Sequence, residues 1–290
     1  MSRVAVIGST GQLGSDLVVT FRHHGTTVVP LSHTDVECAD SESVNAALKL
    51  ARPDIVINCA AVVRVDDCED EAEKAFSVNC LGALHVARAC ATLRAVCVQI
   101  STDYVFSGEK AAPYREDDRP LPTNVYGLSK LAGEEAVRAY CPDHLIVRSS
   151  GLFGSVPSRA KQNFVETMIS LAHSQTRIRV VADQVVSPTY TLDLAHAVNR
   201  LLELDVRGLW HVANSGQCTW YQFAQEIFRL SGQRPDLTPT NSEDFSAKAR
   251  RPRNSALDTS RFAAVTGAAL RSWQEALTSY MSATGRLQVQ

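Results

Sequence analysis

Short apolar runs alternate with amphipathic segments along the first half of this chain. The apolar runs, rich in β-branched residues, occupy residues 3–7, 27–31, 54–58, 95–100 and 144–148. The segments between them carry apolar residues at helical spacing. Strands that alternate with helices in this way are typical of a parallel sheet covered by helices on both faces. We therefore predict an α/β fold built on a doubly wound, Rossmann-like parallel sheet.

The pattern becomes less regular after Arg148. It predicts helices over 164–173, 192–203 and 220–230, with Thr219 placed to cap the last, and short strands over 178–181 and 209–213. The segment 235–252 is rich in proline and charge and is predicted to be a mobile loop. We expect a dinucleotide-binding domain over 1–150, with elements near 185–215 returning to it, and a smaller, interleaved substrate-binding lobe over 151–290.

Three glycines follow the first predicted strand. Gly8, Gly11 and Gly14 are spaced GxxGxxG, and a helical pattern begins at Leu13. Glycines at a strand-to-helix turn let the backbone approach a pyrophosphate, and the helix N-terminus stabilises the charge of that group. The segment therefore predicts a dinucleotide site.

Polar and small residues follow two further strands. The strand near residue 100 leads into Ser101, Thr102 and Asp103, and the strand over 54–58 leads into small residues up to Ala61. The carboxyl ends of parallel strands face the ligand crevice of an open sheet. We expect a hydroxyl here to bind a substrate carbonyl, and the small residues to leave room for a cofactor.

Tyr126 and Lys130 lie four residues apart in a stretch that reads as the start of a helix. At this spacing both side chains project from one face of the helix. A neighbouring ammonium group favours the phenolate and lowers the pKa of a tyrosine. The pair is therefore suited to proton transfer to a carbonyl oxygen.

Taken together, these residues resemble the extended short-chain dehydrogenase/reductases and, within them, the dTDP-4-dehydrorhamnose reductases. The matching motifs are GQLG at 11–14, STDYVF at 101–106 and further residues at 163–165, 183–190 and 251–255. The resemblance covers nearly the whole chain. It implies an NAD(P)H-dependent enzyme that reduces the 4-keto group of a dTDP-deoxysugar, with dTDP-4-dehydro-L-rhamnose as the substrate.

The resemblance also implies roles for individual residues. The catalytic set is Thr102, Tyr126 and Lys130. The cofactor would contact Tyr126 and Lys130 together with Gly8, Thr10, Gly11, Gln12, Leu13, Gly14, Ser32, His33, Glu37, Cys38, Ala60, Ala61 and Val63. The sugar nucleotide would contact Thr102, Asp103, Tyr104, Asn163 and Arg251, although Arg251 could equally belong to a solvated basic loop.

The residues after the second strand favour NADPH. An NAD-specific site places an acidic residue there for the ribose 2′-hydroxyl, whereas this chain has Ser32 and His33, which leave room for a 2′-phosphate. Asp35 and Glu37 lie close by, so NADH stays open as a second cofactor.

Several positions depart from the family pattern. Gly151 stands where many of these reductases have a tryptophan that packs on the sugar, Val63 replaces a common threonine and Val186 a glycine. Of the acidic residues that bind magnesium between subunits in some members, only Asp16 matches, with Leu192 at another position, so no metal is predicted. Two alternatives stay open: a 4-ketoreductase for another nucleotide deoxysugar, such as the dihydrostreptose type, and a non-catalytic regulatory subunit similar to methionine adenosyltransferase beta.

Composition excludes several other classes of function. The net charge of −2 gives no basic excess for nucleic acid, and the sequence has no uninterrupted apolar run of about 20 residues to suggest a membrane partner. The eight cysteines contain no CxxC pair, which predicts reduced thiols. We expect a cytoplasmic enzyme whose partner is its nucleotide-sugar substrate, with a homodimer left open.

Overall fold

A computed structural model describes residues 2–155, 162–245 and 247–288 of the chain. The β-strands are β1 (Arg3–Ile7), β2 (Thr27–Leu31), β3 (Ile55–Asn58), β4 (Val96–Thr102), β5 (His144–Ser149), β6 (Leu152–Phe153), β7 (Arg177–Val181), β8 (Val185–Val186), β9 (Thr189–Tyr190), β10 (Gly208–His211), β11 (Cys218–Thr219) and β12 (Asp236–Thr240). The α-helices are α1 (Gln12–His23), α2 (Ser41–Ala51), α3 (Val65–Asp70), α4 (Ala72–Phe76), α5 (Gly82–Leu93), α6 (Val125–Tyr140), α7 (Phe164–Ser174), α8 (Thr191–Glu203), α9 (Trp220–Ser231), α10 (Ser260–Thr266) and α11 (Trp273–Ala283). Shorter turns are π-helical at Ser77–Leu81 and 3-10 helical at Asp103–Val105 and Glu243–Phe245.

The main sheet has six parallel strands in the order β10-β5-β4-β3-β1-β2. The chain runs from β1 to β2 on one side and then crosses to β3 on the other side of β1. Connections leave the sheet in opposite directions at this point, which opens a crevice at the carboxyl ends of β1 and β3. The predicted doubly wound, Rossmann-like fold is confirmed.

Helices cover both faces of this sheet with separate apolar layers. One layer joins α1 and α8 to the strands through Leu17, Phe21 and Leu194. The other joins α2 and α5 to the opposite face through Val44 and Val86. Two buried faces explain why the strands read as apolar runs rather than as an alternation of apolar and polar residues.

The helical stretch Ala72–Leu93 is long and apolar enough, by length and composition alone, to cross a membrane. It spans α4, the π-helical turn and α5. Ala83, Val86 and Cys90 from this stretch are fully buried in the apolar layer against the sheet. Part of its apolar surface is therefore packed inside the fold.

A second apolar core lies in the C-terminal half. It joins α7, α9 and α11 through aromatic residues that include Phe153, Phe223 and Tyr280. Thr219 caps α9 with a capping box, as the sequence predicts. The segment predicted as a loop over 235–252 instead begins with β12, which pairs in parallel with β7.

The chain returns to the main sheet before it ends. The helix α8 packs against α1, and β10 pairs with β5 at one edge of the sheet. The site described next is therefore lined by segments from both halves of the chain.

Candidate active site

A cavity of about 2210 Å³ runs from the glycine-rich turn to the C-terminal core. Every residue that the sequence assigns to catalysis, cofactor or substrate lies on its wall. The cavity opens at the carboxyl ends of β1, β3 and β4, where the topology of the sheet places a ligand crevice.

The glycine-rich turn is closely packed. Gly8 has a φ of +77°, and a Cβ added to Gly14 would lie 2.2 Å from the Gly8 carbonyl oxygen. The helix α1 begins after Gly11, which provides no side chain to cap it. Backbone N–H groups at this helix end therefore face the cavity as donors for an anion, and a pyrophosphate fits this arrangement.

The loop after β2 holds its own acidic groups. Asp35 accepts hydrogen bonds from the Ser32 backbone N–H at 2.8 Å and from the Ser32 hydroxyl. Glu37 accepts from the Ala39 N–H at 3.0 Å and lies 3.5 Å from His33. Both carboxylates are thus engaged within the loop, while Ser32 and His33 line the cavity.

The start of α6 positions Tyr126. The Asn124 side chain caps the helix by accepting from the Gly127 N–H at 2.8 Å, and Glu69 accepts from the Val125 N–H at 2.9 Å. A Cβ at Gly127 would lie 2.1 Å from the Tyr104 carbonyl oxygen, so only glycine allows this approach. The rings of Tyr104 and Tyr126 meet edge to face at 5.9 Å.

Lys130 lies one helical turn further along and is buried in the cavity wall. Its Nζ donates to the Ile100 carbonyl oxygen at 2.7 Å, which ties α6 to β4. Burial lowers the pKa of Lys130 to about 8, although the negative charge of Glu134 opposes this shift. A buried ammonium with donors left over fits the hydroxyl groups of a ribose.

The pKa of Tyr126 is raised, and this corrects the expectation that Lys130 lowers it. Burial is the main cause of the rise, a hydrogen bond with Thr102 acts against it, and the charge of Asp103 adds to it. In the free protein the phenol therefore keeps its proton at neutral pH, which is the state an acid needs in order to donate.

Thr102 and Asp103 sit at the end of β4, as predicted. The Thr102 hydroxyl donates to Asp103 Oδ1 at 3.0 Å and accepts from the Tyr104 N–H at 3.2 Å. Ser150 donates to Asp103 Oδ2 at 2.8 Å. Asp103 is only 3% exposed, and burial raises its pKa to about 6.

Arg251 reaches the cavity wall already paired. Its guanidinium donates to both oxygens of Asp66, at 3.1 and 2.8 Å. The Ala249 N–H donates to Asp66 as well, at 2.9 Å. These bonds hold the segment around Arg251 against α3, so Arg251 is an ordered part of the wall and not a solvated loop.

The side chain of Asn163 is used to hold the start of α7 in place. Its side chain accepts from the Glu166 N–H at 2.9 Å and caps α7. Its Nδ2 donates to the Gly154 carbonyl at 3.0 Å and to Tyr280 at 3.2 Å, with a longer contact to Gln12 at 3.3 Å. The amide is engaged within the protein, so it touches the cavity without a free donor aimed into it.

The departures from the family pattern also lie in or near the site. Gly151 adopts a left-handed φ of +55°, with Pro188 packed against it. Val63 is 42% exposed at the cavity. Further along the wall the rings of Phe164 and Trp220 lie 4.6 Å apart and supply aromatic surface at a different place.

The residues that hold the predicted site residues in place were not predicted from the sequence. Ser150, which binds Asp103, follows β5 and could have been found from the rule that strand ends face the crevice. Asp66 is distant in sequence from Arg251, so no local pattern reveals their pairing.

Comparisons with known proteins agree with this geometry. A profile of the family described as the RmlD substrate binding domain matches residues 2–285. The spore coat polysaccharide biosynthesis protein SpsK of Bacillus subtilis is 42% identical, with 97% of each chain covered. A dTDP-4-dehydrorhamnose reductase of Streptomyces griseus is 40% identical over 98% of this chain and 95% of its own.

A solved structure shows the same fold with a cofactor bound. The dTDP-4-dehydrorhamnose reductase of Bacillus anthracis, in complex with NADP, superposes with a TM-score of 0.93 at 36% identity. The match covers 98% of this chain and 99% of that one.

Proposed function

Because the chain belongs to the RmlD substrate binding domain family, we propose that it is an NADPH-dependent oxidoreductase that reduces the 4-keto group of a dTDP-activated deoxysugar. The favoured substrate is dTDP-4-dehydro-L-rhamnose, which would yield dTDP-L-rhamnose. One observation carries the proposal: Thr102, Tyr126 and Lys130 line the same cavity as the uncapped glycine-rich turn.

The residues present fit the cofactor. The N–H groups at the start of α1 would hold the pyrophosphate, Ser32 and His33 the 2′-phosphate, and Lys130 a ribose. When bound, NADPH supplies a hydride to the carbonyl carbon of the sugar. The NADP complex of the Bacillus anthracis relative supports NADPH over NADH.

Tyr126 supplies the proton. As the carbonyl π bond breaks, the sugar oxygen gains negative charge and takes the phenolic proton to become a hydroxyl. The raised pKa of Tyr126 keeps that proton in place until the oxygen demands it. Thr102, which contacts Tyr126, would hydrogen-bond the same oxygen.

The cavity wall also suits a nucleotide diphosphate. Arg179, Arg251 and Arg253 line it, and Arg179, which donates to the neutral Thr240 hydroxyl, offers positive charge to phosphate, whereas Arg251 pairs with Asp66 and Arg253 lies 3.5 Å from Glu243. Phe164 and Trp220 offer aromatic surface to a base. These features lie on the wall of one cavity, which supports a nucleotide-linked substrate over a free sugar.

The test is oxidation of NADPH and of NADH, followed by absorbance, with dTDP-4-dehydro-L-rhamnose supplied by coupled synthesis. Tyr126→Phe removes the acid and keeps the ring, so kcat should fall by about 10²–10⁴-fold with little change in NADPH affinity. Tyr140→Phe is the matched control, because Tyr140 is exposed on the same helix. A fully active Tyr126→Phe variant would refute the assignment.

Two other outcomes point elsewhere. Turnover of a different dTDP-4-keto-sugar alone would favour the other deoxysugar reductases, with Gly151 as the first residue to examine. NADPH binding without turnover of any keto-sugar, together with co-purification of a stoichiometric unrelated protein, would favour the regulatory subunit. The proposal places the reaction in the cytoplasm, where NADPH and nucleotide sugars are made.

A further inference from the structure

The hydrogen bonds around Thr102 fix the direction in which its hydroxyl proton points. A threonine hydroxyl has one proton and two acceptor positions. Here the proton is given to Asp103 Oδ1 at 3.0 Å, and one acceptor position takes the Tyr104 N–H at 3.2 Å. While Asp103 Oδ1 accepts the Thr102 proton, that proton is not available to a substrate oxygen.

With Asp103 ionised, the direction of the Thr102 proton does not suit catalysis. The carboxylate accepts that proton, so Thr102 presents none to a sugar carbonyl. A donor at the position of Asp103 Oδ1 would free the Thr102 proton for the carbonyl oxygen.

We propose that Asp103 is a positioning residue whose neutral carboxylic acid donates to Thr102 Oγ1 and thereby turns the proton of Thr102 toward the substrate carbonyl. The inference rests on the proposed function of Thr102 and Tyr126. The proton on Asp103 stays on Asp103 throughout. The proton that reaches the sugar is the one from Tyr126.

The surroundings of Asp103 suit a carboxyl group that exists in both the ionised and the neutral form. Ser150 donates to Oδ2 at 2.8 Å, so Oδ1 is the oxygen left to carry the proton. Burial raises the pKa of Asp103 to about 6, while the hydroxyl groups of Ser255, Ser150 and Thr102 oppose the rise.

Other titratable groups near Asp103 change charge outside this range. Burial raises the pKa values of Tyr104 and of Tyr126 on α6. Burial lowers the pKa of Arg251, but Asp66 and Tyr104 together raise it above its usual value. Lys130, also on α6, has a pKa lowered by burial to about 8, so its titration is separate.

The first test is the pH dependence of kcat/KM, which reports groups of the free enzyme. The wild type should lose about tenfold in kcat/KM per pH unit above about pH 6. In Asp103→Asn the amide Nδ2 donates to Thr102 at every pH, so the fall in kcat/KM above pH 6 should be absent. An unchanged fall in kcat/KM in Asp103→Asn would overturn the inference.

The second test needs no turnover and therefore separates this inference from the proposed function. Carboxyl ¹³C NMR of the free protein should show Asp103 titrating near the predicted value, and Ser150→Ala should move that titration to higher pH because a hydrogen bond to the ionised form is lost. Ser149→Ala is the control, since the Ser149 hydroxyl, within the described part of the chain, has no hydrogen-bond partner. An Asp103 titration that stays in place in Ser150→Ala would contradict the network. Absence of wild-type turnover with an intact NMR result would count against the proposed function alone.

Discussion

Glu134 and Arg148 form a bidentate ion pair that is closed off from solvent beneath the cavity floor. Arg148 Nε lies 2.8 Å from Glu134 Oε1, and its second nitrogen lies 2.6 Å from Oε2. Ser101 donates to the same carboxylate. Since Glu134 is one turn beyond Lys130 on α6, the pair fixes the catalytic helix against β4 and β5.

Removal of one partner of this pair should destabilise the fold strongly. Glu134→Gln leaves a buried, unpaired guanidinium, which costs about 3–5 kcal/mol. Urea unfolding measures the loss. Glu135→Gln, at an exposed residue that pairs with Arg138, should cost about 0–1 kcal/mol. Equal effects from the two variants would contradict a structural role for the buried pair.

The stability of the protein should depend on pH through Lys130. Burial lowers its pKa from 10.5 to about 8, so between these values the unfolded chain binds more protons than the folded one. The free energy of unfolding of the wild type, relative to Lys130→Met, should therefore rise from pH 8 to pH 10. Urea titrations at pH 7, 8, 9 and 10 test this, and a difference that stays flat would show that Lys130 is not desolvated.

The glycine-rich turn should not tolerate a methyl group at Gly14. A Cβ there would lie 2.2 Å from the Gly8 carbonyl oxygen, so α1 must shift away from the turn. Gly14→Ala should weaken NADPH binding by about tenfold or more and destabilise the fold by about 1–3 kcal/mol. Val19→Ala, at an exposed position on α1, should leave both properties unchanged. Calorimetric titration with NADPH gives the comparison.

A tryptophan at position 151 should not restore the family's sugar platform. Gly151 has a φ of +55°, which costs a residue with a side chain about 1–2 kcal/mol, and Pro188 lies 3.2 Å from the added Cβ. Gly151→Ala and Gly151→Trp should lose similar stability in thermal unfolding. A lower KM in Gly151→Trp without loss of stability would show that the site accepts the platform after all.

Local sequence patterns predicted much of the candidate site. Tyr126 and Lys130 are one helical turn apart, and the glycines lie within one strand-to-helix turn, so spacing alone places each group. The strand end at Thr102 could be predicted to face the site because the carboxyl ends of parallel strands lie at one edge of the sheet. The family resemblance then supplied the predicted reaction, and the profile match over residues 2–285 confirms the family.

The prediction of a loop over 235–252 was wrong for residues 236–240, which form β12, because composition is a poor guide at a sheet edge. Pro239 lies within β12, and proline lacks an N–H for the ladder. In this two-stranded sheet β12 is an edge strand, where a missing donor is tolerated. The pairing with β7 brings together residues almost 60 positions apart, such as Leu237 and Ile178, and no local pattern contains that information.

The sequence by itself determined the α/β class, the glycine-rich turn and the helical spacing of Tyr126 and Lys130, because these depend on residues close together in the chain. Only the tertiary structure decided the protonation states of the site residues and the partners that hold them in place. The pKa of Tyr126 depends on burial by distant segments, and Arg251 is held by Asp66, 185 residues away. Desolvation and ion pairing act through space, so they follow from the fold and not from the order of residues.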